Sequence, residues 1–268
     1  VTFNKVGVGS GTFDGASYSV DSQGHSGVDG DFALDTSGGG AQILSPEFLN
    51  KATQDGAFTI SFWQKLDSVA QASAFYGVSP TSEDSRGLNA HVPWADNRIY
   101  FDVDQGPGDW RLSILNPATL TGSWHHFAFV QEADSKSVWI DGKLVAEESG
   151  ARVVPSDFTE FFIGRESGNS PDGLIDEFAV FSDALPKLAI AQLASGKAAD
   201  ELAVVSDDRI RARSDYFRTV EGQTITSVAP GPLFNDELRG GSFPLIEVVS
   251  SPRIGRLHIE VDTGAFTY

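Results

Sequence analysis

The sequence predicts an all-β fold: an antiparallel β-sandwich followed by a second, incomplete β domain. Three observations predict it. Aromatic residues make up 11% of the 268-residue chain, while Gly numbers 28 and Pro 12, a balance that favours short strands punctuated by turns over helices. Apolar residues recur with period two in run after run along the chain. Asp141-Gly142 stands between two such runs, and Asp-Gly supplies the positive φ angles that a two-residue hairpin turn demands.

The elements follow in order. Residues 12–40 are rich in Gly, Ser and Asp, with small apolar islands such as Phe32-Ala33-Leu34, and read as turns between short strands. Residues 57–64 form a β-prone run in which Phe58, Ile60 and Phe62 share one face and Thr59, Ser61 and Trp63 the other. Further strands are expected over 72–78, 97–103, 110–115, 124–130, 137–140, 143–146, 161–164 and 173–181, with a polar turn over Glu132 to Lys136. Trp63, Trp124 and Trp139 lie in core-like runs and are expected to be buried. Leu188, Ile190, Leu193 and Ala194 recur at helical spacing, which predicts a short closing helix over 186–195. The first domain then spans 1–199, a polar linker 200–215, and a second β texture 216–268.

Composition bounds the function. The formal net charge of −18 argues against nucleic acid as a partner, since a phosphate backbone needs a basic stripe. Cys is absent, which removes disulfides, thiol nucleophiles and Cys-ligated metals. No stretch approaches the roughly 18–20 apolar residues that span a membrane. Met is absent and Val1 comes first, so the chain reads as a processed product or a piece of a longer one.

Four segments in order carry a family resemblance: Phe58-Thr59-Ile60-Ser61-Phe62-Trp63; Trp124-His125-His126-Phe127-Ala128-Phe129-Val130; Val138-Trp139-Ile140-Asp141-Gly142-Lys143-Leu144-Val145; and Gly173-Leu174-Ile175-Asp176-Glu177-Phe178-Ala179-Val180-Phe181 with Ala184-Leu185. Residues 20–196 resemble the concanavalin A-like lectin/glucanase jelly roll in its laminin G-like form. The fold class implied is an antiparallel jelly-roll β-sandwich. Val220-Glu221-Gly222-Gln223, Pro232-Leu233-Phe234-Asn235-Asp236 and Gly255-Arg256-Leu257 before Gly264-Ala265-Phe266-Thr267-Tyr268 resemble the opening of a bacterial cadherin-like or immunoglobulin-like repeat.

The resemblance implies candidate sites. Asp176 lies among apolar neighbours, so a buried carboxylate there needs a partner. In relatives the matching acid often holds a structural Ca²⁺, with the loops of Asp35 and Asp14 as suppliers; a salt-bridged Asp176 is the alternative. A second calcium locus at the domain junction would use Asn235 and Asp236 with Asp207 or Asp208. Sugar stacking needs exposed aromatics, for which Trp94 is the first candidate, then Tyr76 and Trp110; a loop aromatic covering the core edge explains Trp94 equally. Asp102 and Asp104 are the nearest thing to the paired carboxylates of a glucanase, but no third acid follows in phase and Gly106-Pro107-Gly108 breaks the strand. They read as a solvated strand end, and no enzyme is expected. His125 and His126, adjacent on a strand, point to opposite faces and cannot share a metal.

The expected function is therefore a non-catalytic binding or adhesion module of a large secreted or surface protein, extracellular and of bacterial type, recognising carbohydrate or protein. The alternative is a structural subunit of an extracellular filament or surface layer. In it the strand-like run of residues 1–8 would add to the unfinished sheet of residues 216–268 in another copy.

Overall fold

The computed structural model describes residues 11–69, 71–104, 111–116, 120–132, 134–150, 152–164, 169–202, 215–228, 231–233, 246, 248, 250–260 and 264–268. The strand expected at residues 1–8 lies outside the described residues. Two compact units divide the chain at 202/203.

The first unit is a sandwich of two antiparallel sheets. Its strands in chain order are β1 (Gly11–Asp14), β2 (Ser17–Tyr18), β3 (Leu34–Asp35), β4 (Gly40–Leu44), β5 (Phe58–Leu66), β6 (Ser73–Val78), β7 (Arg86–His91), β8 (Arg98–Val103), β9 (Leu112–Leu115), β10 (Trp124–Glu132), β11 (Ser135–Ile140), β12 (Lys143–Ser149), β13 (Glu160–Ile163) and β14 (Gly173–Phe181). The first sheet runs β1-β4-β13-β6-β7-β8-β9 and the second β12-β11-β10-β5-β14-β3-β2. Successive strands cross repeatedly between the layers, as a jelly roll requires.

Period-two alternation sets the core. Phe58, Ile60 and Phe62 on β5, Phe127 and Phe129 on β10, and Ile175 on β14 meet Phe75, Leu88, Phe101 and Phe161 from the first sheet. Phe62 and Phe75, from the central strand of each sheet, touch edge to face at 6.2 Å. Asp141 and Gly142 form the two-residue turn between β11 and β12 with φ of 49° and 74°, the positive values that the Asp-Gly pair predicted.

One helix covers part of the outer face of the second sheet. Helix α1 (Glu47–Thr53) precedes β5, and helix α2 (Lys187–Ala194) follows β14. Ile190 of α2 packs on Ala128 and Val130 of β10, flanked by Trp139, Ala184 and Leu185. The Thr59 hydroxyl donates to the Asp183 carbonyl and accepts from Leu185 N–H, tying the approach to α2 onto β5. Leu188, expected on the helix's apolar side, is 52% exposed.

Two expectations change. Trp63, Trp124 and Trp139 are half-buried, because alternation puts each out of phase with the core residues of its own strand: Phe62, Phe127 and Val138 respectively. Lys136 is no turn residue: it lies in β11, buried, and its Nζ donates to the Phe101 carbonyl in the opposite sheet. Burial pushes its pKa down.

In the second unit the described strands are β15 (Thr226–Ser227), β16 (His258–Ile259) and β17 (Phe266–Thr267), ordered β15-β17-β16. Phe217 packs edge-on against Phe266 at 4.7 Å. No strand forms at the described residues 216–220, and three two-residue strands leave the immunoglobulin- or cadherin-like resemblance an expectation from sequence alone.

Candidate functional site

Alternation that sends Leu88 and Ala90 of β7 and Ile99, Phe101 and Val103 of β8 into the core must send Asn89, His91, Tyr100 and Asp102 to the outer face of the first sheet. Register then aligns them: Tyr76 opposes Asn89, Asn89 opposes Asp102, and His91 opposes Tyr100. Asn89, His91 and Asp102 join Ser73 and Arg111 in one hydrogen-bonded relay, while the Tyr100 hydroxyl donates to Asp96 at 2.5 Å. Arg111 Nε and Nη2 each donate to Asp102 at 2.9 Å. Asn89 Nδ2 donates to Asp102 Oδ2 at 3.3 Å and faces His91 Nε2 at 3.0 Å, and His91 Nδ1 lies 3.0 Å from the Ser73 hydroxyl.

A carboxylate only accepts, so Asp102 fixes which end of the Asn89 amide faces it. His91 Nε2 is then an acceptor and the ring proton sits on Nδ1. Asn89 Oδ1 is left buried with no hydrogen-bond partner, on a residue only 3% exposed.

Trp94, half-buried in the turn after β7, lays its ring 3.9 Å from that of His91. Its backbone is held by Trp94 N–H to the Arg98 carbonyl and Asn97 N–H to the Trp94 carbonyl. The Arg111 guanidinium sits 4.3 Å above the Tyr100 ring. Tyr76, Arg86, Asn89, His91, Trp94 and Arg111 together line a hollow of about 90 Å³. The structure thus brings Tyr76 and Trp94 to one site, with Tyr76 buried. Trp110 lies outside the described residues.

Asp102 and Asp104 have separate partners. Asp102 is buried and ion-paired with Arg111. Asp104 lies past the end of β8 with φ of 46°; Ser82 donates to it at 2.7 Å and Arg152 sits 3.7 Å away. His125 and His126 diverge: His125 Nδ1 lies 2.8 Å from Asp141, while His126 Nε2 lies 2.8 Å from the Ser61 hydroxyl.

Asp176 gains a different set of partners from those expected. It lies in β14, and the atoms converging on it within 4.8 Å belong to His25 and Asp31. Asp35, on β3, accepts from Ser37 N–H and the Ser37 hydroxyl. Asp14 is exposed on β1, in the other sheet. Both Asp176 oxygens already accept: His25 N–H at 2.8 Å with His25 Nδ1 at 3.3 Å on one, Glu177 N–H at 2.8 Å on the other. Asp31 Oδ2 accepts from Ser26 N–H and the Ser26 hydroxyl. Calcium takes 6–8 oxygen ligands, and here an imidazole nitrogen stands where an oxygen is needed. These residues do not fit that ion as arranged. His25 is instead the partner: its hydrogen bond to Asp176 raises its pKa against the opposing effect of burial, and its ring stacks on Trp63 at 4.8 Å. Asn235, Asp236, Asp207 and Asp208 lie outside the described residues.

Solved structures with the same architecture include three toxin binding domains. The receptor binding domain of botulinum neurotoxin C/D mosaic serotype matches at TM-score 0.53 and 15% identity, over 70% of this chain and 46% of that one. The binding domain of botulinum neurotoxin DC in complex with rat synaptotagmin II gives the same figures. The binding domain of Paraclostridial Mosquitocidal Protein 1 matches at TM-score 0.53 and 12% identity, over 70% and 47%. At such identities the likeness is one of fold, and the chain spans just under half the length of these domains. No curated protein sequence matches. A laminin G-type family model, that of the concanavalin A-like lectin/glucanases superfamily, matches residues 37–191. More than half of the chain therefore fits that model within a two-sheet antiparallel sandwich, and the protein belongs to the concanavalin A-like lectin/glucanase superfamily.

Proposed function

We propose that the protein is a non-catalytic extracellular binding module that takes a carbohydrate in the hollow between Tyr76, Trp94 and Arg111. The observation that carries this reading is the pairing of a half-buried Trp94 ring with the pre-ordered polar relay beside it. A sugar ring offers an apolar C–H face and a rim of hydroxyls, and suits a site with an aromatic wall and planar amide and guanidinium groups.

The relay's side chains are held by hydrogen bonds to one another, which limits the ordering cost of binding. Both aspartates beside it are held by arginines, which favours recognition over hydrolysis. Among the described residues no helix is long and apolar enough to cross a membrane, which is compatible with an extracellular location. A protein ligand is the second reading, supported by the likeness to a neurotoxin domain solved with synaptotagmin II.

A glycan array probed with wild type and Trp94→Ala tests the proposal. We expect wild type to select a set of glycans and the variant to lose about tenfold or more in affinity for them. Equal binding by the variant would remove the hollow as the site.

A further inference from the structure

We propose that the carbohydrate taken here is an N-acetylated amino sugar, gripped by its acetamido group rather than by the whole ring; this rests on the carbohydrate reading above. Size decides first. The hollow measures about 90 Å³, whereas one benzene molecule, a ring of six carbons, fills an apolar cavity of about 150 Å³. That scale is about 25 Å³ for each heavy atom, which gives the hollow room for about four. A whole pyranose with its hydroxyls and hydroxymethyl is about three times too large. It must stay at the mouth and send in one substituent. An acetamido group, made of one nitrogen, two carbons and one oxygen, has the size of the space. A hydroxyl, a hydroxymethyl or the methyl of a deoxy sugar leaves much of it unfilled.

The lining then selects the chemistry. Of the six described residues around the hollow, Tyr76, His91 and Trp94 are aromatic. Each ring is fixed. Tyr76 on β6 packs at 6.3 Å from Phe162, its cross-strand partner on β13. His91 on β7 sits between Ser73 and Asn89. Trp94 lies 3.9 Å from His91 with its plane tilted by 40°, so the two rings form an angled wall. Arg111 adds another planar group, set by two hydrogen bonds to Asp102 and by the Tyr100 ring 4.3 Å away.

A methyl group and the flat amide that carries it match such walls, because C–H and N–H edges are attracted to aromatic faces. The methyl needs contact and no hydrogen bond, so the relay keeps every partner it already has. Carboxylate and sulfate substituents have a similar size but present no C–H surface to the rings. Trp94 is half-buried, which leaves part of the indole at the mouth for the sugar ring to rest on. One residue therefore serves both the ring and its substituent, and the rest of the lining serves the substituent.

Calorimetry on the full chain tests this with matched probes: chitotetraose against cellotetraose, and methyl N-acetyl-β-galactosaminide against methyl β-galactoside. The expected result is binding of at least one acetamido probe about tenfold tighter than its hydroxyl partner. Replacing the acetyl of that probe by butanoyl should cost about tenfold, because the hollow has no room for two further carbons. In saturation-transfer NMR on the wild-type protein the acetyl methyl should receive more saturation than any ring proton. Trp94→Ala should weaken both members of each pair and remove the acetamido preference. Equal affinity within both pairs, still dependent on Trp94, would overturn the acetamido specificity and leave the carbohydrate reading standing. So would a butanoyl probe bound as tightly as the acetyl one, ring protons more strongly saturated than the methyl, or a preference retained in Trp94→Ala. Absence of binding by every carbohydrate would overturn both.

Discussion

Phe62→Ala is expected to cost the first unit about 3–5 kcal/mol of stability, the range for a buried aromatic cut to a methyl group. Phe62 is fully buried on β5, the central strand of the second sheet. Its ring stacks on Phe127 at 5.6 Å, Phe129 at 6.0 Å and Phe178 at 5.5 Å, and meets Phe75 of the other sheet edge-on. The cost has two parts, lost transfer energy and the cavity left behind. The neighbours here are rigid rings on paired strands, so little of that cavity can close. Phe62→Leu should recover much of the loss, because it restores volume without the ring. Urea unfolding followed by far-UV circular dichroism measures both. A loss below about 1 kcal/mol in Phe62→Ala would mean that the two sheets are not pinned at this point.

A second large effect is predicted on acidification. His126 is 1% exposed on β10; burial pushes its pKa down to about 4, with nearby His25 acting in the same direction and Asp141 opposing. In the unfolded chain the same imidazole takes its proton near 6.5. Between those values the unfolded state is protonated and the folded state is not, so stability falls as the pH drops. A gap of this size is worth about 3 kcal/mol, fully present above about pH 6.5 and lost by about pH 4. His25 has the opposite sign: its raised pKa adds stability below the ordinary imidazole value, and that contribution fades as the pH rises through the folded value. The two histidines together favour a stability maximum near neutrality. Unfolding midpoints at pH 7 and pH 4.5 for wild type and His126→Gln isolate the larger effect. The variant should lose distinctly less stability on acidification; an unchanged pH dependence would contradict the assignment.

Much of the fold was legible because strands long enough to alternate declare their faces. β5, β10 and β14 each carry apolar residues at period two, and their core sides follow directly from Phe58-Ile60-Phe62, Phe127-Phe129 and Ile175. The same rule misplaced Trp63 and Trp139 only where hydrophobicity was weighed above phase. The two-residue strands β2 and β3 are too short to show a period. Lys136 was hidden by its charge, which belongs to turns by composition but here crosses the sandwich to a carbonyl.

The site was half legible. Trp94 stood out as an aromatic in a polar stretch, with Tyr76 next. Their companions Ser73, Asn89, His91 and Asp102 are spread over three strands, with Arg111 just before a fourth, and meet through the register of β6 with β7, β7 with β8 and β8 with β9. Nothing in local spacing reports that register. Asp176 shows the same limit. Its burial among apolar neighbours announced a partner, but β3 pairs with β14 only at Leu34 and Asp35, and it is the preceding loop that returns His25 and Asp31 to the carboxylate.

The most direct test of the central claim is to watch the indole N–H signals of the five tryptophans by two-dimensional NMR during titration with an oligosaccharide of N-acetylated amino sugars, each assigned from a Trp→Phe variant. The Trp94 signal should move progressively and saturate, while those of Trp63 and Trp139, on the outer face of the second sheet, stay in place. Movement of Trp63 or Trp139 with Trp94 unmoved would put recognition on the opposite face of the sandwich and contradict the account.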